Sequence, residues 1–273
     1  MHDSRAVQQS LAAIRGKGPL VHNITNFVVM NSTANALLSL GASPIMAHAV
    51  EEVEELAAIS QALVINIGTL SPRWVESMRR AGYAARERGV PIVLDPVGAG
   101  ASVLRTESCL ALLREVGPGI VRGNGAEIAA LASEAVGFTG EAQGRGVDSL
   151  SGPEAAVEAA TALAEHFACV VVVSGAFDLI TDGTRQIRVL NGDPLMPRVT
   201  GMGCSATAVI GAFAAVGSSN LEAAANGMAV MGVAGEMAAQ SARGPGTFQA
   251  AFLDALYLMT PEELDSRLRL EEG

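Results

Sequence analysis

The chain has 273 residues, of which 49% are apolar and 17% charged, enough to bury a sizeable core as one large α/β domain or two small ones and too apolar for a disordered chain. Its formal net charge of −10 and pI of about 4.9, with no Lys/Arg-rich block, make nucleic acid or an anionic membrane a poor partner. Aromatic residues make up only 4%, so Ala, Val, Leu, Met and Gly must fill the core.

In chain order the apolar runs "PLVHNIT", "ALVINIG", "PIVLDP", "GIVRGN" and "CVVVVSG" are short, β-branched and unbroken by polar alternation. That is the pattern of parallel strands covered on both faces. Helical segments such as Pro72–Arg88 and Pro153–Phe167 lie between them. The Gly- and Ser-rich stretch Val136–Pro153 reads as a flexible loop; strand–helix alternation continues across it, so residues 1–273 read as a single domain. "DLITDG" and "RQIRVL" predict an antiparallel hairpin through Asp182-Gly183. From Gly203 the pattern is helical almost to the end. Nothing between Arg198 and Glu222 is charged, a length that could span a bilayer, but its Gly, Ser and Thr favour a fully buried helix. A last helix is expected to open with Thr260 as N-cap, Pro261 at N1 and Glu263 at N3, a capping box. The fold class is therefore α/β: an open, mostly parallel sheet flanked by helices on both faces.

Cys109, Cys169 and Cys204 are widely spaced and form no C-x-x-C pair or disulfide framework, which favours a reducing, cytoplasmic setting. His2, His22, His48 and His166 show no zinc spacing. The opening "MHDSRAVQQS" has no apolar signal-peptide region.

In open α/β sheets ligands bind outside the carboxyl ends of the strands. The residues there are Asn23 and Asn26, Asn66 and Thr69, Asp95, Arg122 with Asn124 and Glu127, and Ser174 with Gly175. Five polar strand ends converging suggest a site. Asp95 is either a turn former before proline or a carboxylate that orders Mg²⁺ through water. Asn124 and Glu127 are either an N-cap pair or, with Asp95, oxygen ligands for a magnesium–phosphate site. Arg122 is either a surface ion-pair member or a bidentate phosphate donor. In "TGMGCSATAV" a helix is expected to begin near Gly203, where glycines let backbone approach an oxyanion and unpaired N–H groups attract it. Cys204 would then lie in the first turn, with its thiol pKa expected to fall; the alternative is a small buried core residue.

The segments "VHNITNFVVMNSTANALLSLGASPIMA", "LDPVGAGAS", "RGNGAEI", "GVDSLSG", "DPLMPRVTGMGCSATAV" and "GPGTFQAAFLDALY" follow one another in order over nearly the whole chain, from about Gly18 to Tyr257. Together they resemble the hydroxyethylthiazole kinase family of thiamine salvage, in the ribokinase-like superfamily. The resemblance implies phosphorylation of the primary alcohol of hydroxyethylthiazole, with ATP as co-substrate and Mg²⁺ as cofactor. It implies an anion hole at Gly201, Met202, Gly203 and Cys204, with Cys204 at the base position that most ribokinase-like relatives fill with Asp. Met46, Gly201 and Asn26 fall at substrate positions, Arg122, Ser174 and Asn124 at ATP positions, and Asp95 and Glu127 at metal positions. A homotrimer, with the thiazole pocket completed by a neighbouring subunit, is implied as well. The chain departs from the family pattern at Met202, where a small or hydroxylated residue is usual, at Ser174 in place of Thr, and at Gly125-Ala126. The readings weighed against it are a hydroxymethylpyrimidine kinase of the same superfamily, a thiol hydrolase using Cys204 with a positioned His, and a nucleotide-binding protein without turnover.

Overall fold

A computed structural model describes residues 4–139, 153–217 and 219–273. The first half runs α1 (Ser4–Lys17), β1 (Leu20–Ile24), α2 (Met30–Leu40), β2 (Ser43–Ile45), α3 (Val53–Ile59), β3 (Ala62–Asn66), α4 (Pro72–Glu87), β4 (Ile92–Asp95), α5 (Val103–Glu115) and β5 (Ile120–Asn124). The second runs α6 (Gly125–Val136), α7 (Pro153–Phe167), β6 (Val170–Ser174), β7 (Asp178–Thr181), β8 (Gln186–Val189), a 3₁₀ turn at Met196–Arg198, α8 (Met202–Val216), α9 (Asn220–Ala239), α10 (Pro245–Leu258), α11 (Pro261–Arg267) and β9 (Leu270–Glu272). Residues 140–152, which hold "GVDSLSG" and most of the expected Gly/Ser-rich loop, lie outside the described residues.

The strands form one sheet in the order β2-β1-β3-β4-β5-β6-β7-β8-β9. Pairing is parallel from β2 to β6 and antiparallel from β6 to β9. The reason lies in side-chain alternation. In β6, Val170 and Val172 enter one core layer while Val171 and Val173 enter the other, so every position must be apolar. One layer is covered by α1, α2, α8, α9 and α10, the other by α3 to α7. The hairpin through Asp182-Gly183 forms as expected, with Ile180 facing Ile187.

The uncharged stretch becomes α8 and the start of α9. From Ser205 to Ala214 every residue of α8 is buried, as an all-round apolar helix must be. No helix among the described residues is long and apolar enough to cross a membrane. Two short strands escape sequence reasoning. β2 is three residues with a central proline at the sheet edge, and β9 is Leu-Glu-Glu, strand only because it pairs with β8. The capping box expected at α11 is only half formed. Thr260 accepts from the Glu263 N–H, but the Glu263 carboxylate turns to Arg267 one helical turn on.

Helices α8 and α9 cross at Gly227, where a Cβ would sit 2.9 Å from Ile210 Cγ1 and 3.0 Å from its Cα. Backbone cannot yield as a side-chain tip does. Gly227→Ala is therefore expected to cost about 1–3 kcal/mol of stability by overpacking, read from the midpoint of urea unfolding; an unmoved midpoint would show that the two helices separate freely.

Candidate active site

The start of α8 is held against the carboxyl ends of the parallel strands. Gly201 is its N-cap, with φ at +83°, and a Cβ there would lie 2.7 Å from Val29 Cγ1. Conformation and space both require glycine. The helix begins at Met202, one residue earlier than expected. A Cβ on Gly203 would lie 2.5 Å from Arg122 Nη1, so the guanidinium rests on the first turn itself. Unpaired N–H groups and the helix dipole make this turn a place for an anion.

On one side of the turn lies a polar network. Asn26 Nδ2 donates to Asn66 Oδ1 at 2.8 Å and approaches Cys204 Sγ at 3.6 Å. Asn66 Nδ2 donates to Asp95 Oδ2 at 2.8 Å, and Thr207 Oγ1 donates to the same oxygen at 2.8 Å. Both donors reach Oδ2, and Oδ1 is buried without a partner. Burial pushes the Asp95 carboxyl up to about 6, against the pull of Arg122 and the Thr207 hydrogen bond. A buried carboxylate so placed has strong reason to meet a cation.

On the other side lies a cavity of about 680 Å³, lined among others by Arg122, Asn124, Ser174, Asp178, Met202 and Gly203. That volume suits a drug-sized or cofactor-sized ligand. Arg122 donates from Nε (3.0 Å) and Nη2 (2.6 Å) to Ser174 Oγ, so its partner is a serine hydroxyl at the end of β6 and not a surface carboxylate.

Asn124 and Glu127 form the complete capping box of α6. Asn124 Oδ1 accepts from the Glu127 N–H at 2.9 Å, and Glu127 Oε2 accepts from the Asn124 N–H at 2.9 Å. Glu127 Oε1 also accepts from the Gly98 N–H at 2.8 Å, which ties the loop after Asp95 to α6. Arg105 braces that loop from outside, donating to the carbonyls of Val97 (2.6 Å), Gly68 (2.8 Å) and Ile67 (3.2 Å). Among the described residues no group of three or more His, Cys, Asp and Glu is placed to hold a metal ion. Asp95 and Glu127 are thus a pair of carboxylates, not a cage.

Cys204 is half-buried, and its thiol behaves contrary to expectation. Burial and then the nearby Asp95 carboxylate push it up to about 11, against the hydrogen bonds from Asn66 and Asn26 and the Arg122 charge. Desolvation sets the direction of the shift. The histidines that a thiol hydrolase would need are engaged elsewhere. His22 is buried with Nε2 on the Ala47 carbonyl at 2.8 Å, and His48 stacks on Trp74 with ring centroids 4.1 Å apart.

Met46 lies one residue past β2, half-buried and outside the lining of the large cavity. Asn23 turns back to the Val21 carbonyl, and Thr69 accepts from the Phe27 N–H; neither joins the network. Thr207, Arg105 and Asp178 were not singled out from the sequence. Thr207 had a signal: it stands three residues after Cys204 on one helix face. Arg105 had none, because its carbonyl partners come from two loops.

A family model described as the hydroxyethylthiazole kinase family matches residues 11–262. The chain belongs to the hydroxyethylthiazole kinase family. It is 54% identical to the hydroxyethylthiazole kinase of Nitratidesulfovibrio vulgaris (strain DSM 19637 / Miyazaki F), over 99% of each chain. It is 54% identical to that of Syntrophus aciditrophicus (strain SB), over 97% of this chain and 96% of the relative. Its structure matches a hydroxyethylthiazole kinase protein from Pyrococcus horikoshii OT3 with a TM-score of 0.90 at 43% identity, covering 98% of this chain and 99% of that one. A pyridoxal kinase from Staphylococcus aureus in complex with pyridoxal matches with a TM-score of 0.66 at 17% identity, over 93% and 97% of the two chains, a likeness of fold.

The position of the thiol is open to a direct check. With its pKa moved from 9.0 to about 11, Cys204 holds about a hundredfold less thiolate at neutral pH than an unperturbed cysteine. Iodoacetamide at pH 7.5, followed by mass spectrometry, is expected to label Cys204 about a hundredfold more slowly than a free thiol and to spare buried Cys109 and Cys169. Labelling of Cys204 as fast as a free thiol would mean that the helix start wins after all.

Proposed function

We propose that this chain transfers the γ-phosphoryl group of ATP to the primary alcohol of hydroxyethylthiazole. The observation that carries the reading is the placement of the α8 start between a nucleotide-sized cavity and the Asn26–Asn66–Asp95–Cys204 network. Donor and acceptor would meet across one turn of helix. The family membership names the alcohol; the geometry supports the rest of the reading.

In this reading the triphosphate lies along the cavity with its terminal phosphate on the N–H groups of the Gly201–Cys204 turn. Arg122, held by Ser174, meets the phosphate oxygens, and Asn124 stands at the cavity rim. Met202 lines the cavity, yet a turn that gives only backbone N–H groups tolerates its side chain. The alcohol occupies the Asn26 side, with Gly201 at its border and Met46 in the thiazole pocket. Asp95 and Glu127 fit a magnesium ion in one respect that the structure displays, the partnerless buried Oδ1 of Asp95. Mg²⁺ commonly takes one or two carboxylates plus water and phosphate oxygens, so a pair suffices. When bound, the ion supplies charge neutralisation to the phosphates.

Phosphoryl transfer is largely dissociative, so positioning counts for more than a strong base. Neutral Cys204 orients the hydroxyl; once the oxygen is bonded to phosphorus the proton passes to a phosphate oxygen or to water, because a thiol that keeps its own proton cannot take it. A cytoplasmic setting suits three free cysteines. A homotrimer suits Phe27 and Val28, apolar residues 64% and 65% exposed immediately after Asn26. Sedimentation is expected to show a trimer, and a monomer at micromolar concentration would remove that part of the reading.

The test of the reaction is ADP release from Mg-ATP with hydroxyethylthiazole, hydroxymethylpyrimidine and no alcohol in parallel. Thiazole-dependent release is expected; release with the pyrimidine alone would overturn the substrate. Cys204→Ala is expected to lower kcat by about tenfold or more, and Cys204→Asp to match or exceed the wild-type rate. If Cys204→Ala instead ran at the wild-type rate, the orienting role of the thiol would be lost.

A further inference from the structure

Asp178 is a carboxylate in the large cavity that the reaction as described leaves unused. It opens β7 after the turn that leaves β6, and its Oδ1 accepts from the Gly175 N–H at 3.3 Å. It lines the cavity beside Arg122 and Ser174. Proximity alone would make it a turn former, but the hydrogen-bond inventory of Ser174 says more. A serine hydroxyl has one proton and two lone pairs. Both lone pairs are taken, by Arg122 Nε and Nη2. The proton must find another acceptor, and the Asp178 carboxylate, in the same cavity wall, is close enough that the Ser174 hydroxyl helps to keep it ionised.

The direction of the chain Asp178–Ser174–Arg122 follows. With the proton drawn to the carboxylate, both lone pairs turn to one edge of the guanidinium. Its other edge, Nη1, is the one against Gly203 at the start of α8. A carboxylate bonded directly to Arg122 would occupy donors that a phosphate needs. A serine in between holds the fork without covering it.

We propose that Asp178 is a positioning residue of the nucleotide site, acting through Ser174 to aim the free edge of Arg122 at phosphate oxygens held on the first turn of α8. The proposal rests on the reading of the large cavity as the nucleotide site. Burial raises the Asp178 carboxyl to about 6, with Arg122 pulling the other way, so the side chain stays mostly ionised at neutral pH.

Asp178→Asn separates this role from turn formation. Its carbonyl oxygen still accepts from Gly175, while its NH₂ offers a donor to Ser174 and competes with Arg122. Titration calorimetry on the full chain, with ADP and with adenosine, reads the difference. In Asp178→Asn the affinity for ADP is expected to fall about tenfold, while adenosine binding stays within about twofold. In Ser174→Ala the same substitution is expected to have little further effect, since the relay is already cut. Equal losses for ADP and adenosine would make Asp178 a pocket or turn residue and overturn the proposal, as would an unchanged ADP affinity or full additivity with Ser174→Ala. A wild-type chain that binds neither nucleotide nor nucleoside would overturn the nucleotide reading and the relay with it.

Discussion

An apolar helix packed on every side has to leave its unpaired N–H groups somewhere, and α8 leaves them where six parallel strands present their carboxyl ends. That constraint organises the site. The first turn cannot be covered by apolar side chains, because its donors would be buried without partners. No side chain caps it; the polar groups that surround it come from the strand ends, Arg122 from β5, Asp95 from β4 through Thr207 and Asn26 from the loop after β1, and its own N–H groups are left for an anion. Two glycines allow the approach. Gly201 takes the left-handed conformation that turns the chain into the helix, and Gly203 leaves the room that Arg122 fills.

A chain of net charge −10 offers little general attraction to an anionic ligand. Attraction has to be local, and it is. The helix start and Arg122 face the large cavity together, while Asp95 stands behind them with one oxygen saturated and one bare. Saturating Oδ2 with two neutral donors does not cancel the charge; it decides which oxygen faces an incoming cation. The fixed partners of Glu127 act similarly on the other carboxylate, since its oxygens are held by the backbone N–H groups of Asn124, at the end of β5, and of Gly98, in the loop after Asp95. The two carboxylates are thus set by the fold before any ligand arrives, which lowers the ordering cost of binding.

What could be read from the chain follows from how local each signal is. The five buried strands were legible because full burial on both faces leaves no polar position, and the hairpin because Asp182-Gly183 is turn chemistry. The strand-end rule brought Asn26, Asn66, Asp95, Arg122 and Ser174 forward for the same reason. β2 and β9 were not legible, because three-residue edge strands are made by their neighbours. Nor was the anchoring role of Glu263, which pairs with Arg267 and leaves the box open. The thiol of Cys204 shows the limit most clearly. Its place in the first turn was readable, but the sign of its pKa shift depends on the apolar packing around it and on Asp95, a residue more than a hundred positions away.

That sign gives a physical reason for cysteine at this position. Asp95 is felt at Cys204, since its charge is the second cause of the raised thiol pKa. A carboxylate in place of the thiol would stand beside a buried carboxylate that already lacks a partner on one oxygen, and like charges at short range penalise each other. Until a cation joins them, such a pair destabilises the fold. A neutral thiol avoids that cost, at the expense of offering no proton acceptor of its own. In a reaction where positioning counts for more than a strong base, a thiol that only orients the hydroxyl suffices, and the site holds its shape empty. The cysteine and the bare oxygen of Asp95 are therefore two sides of one arrangement: a single permanent charge is tolerated at the end of β4 because the residue facing it across the first turn of α8 carries none.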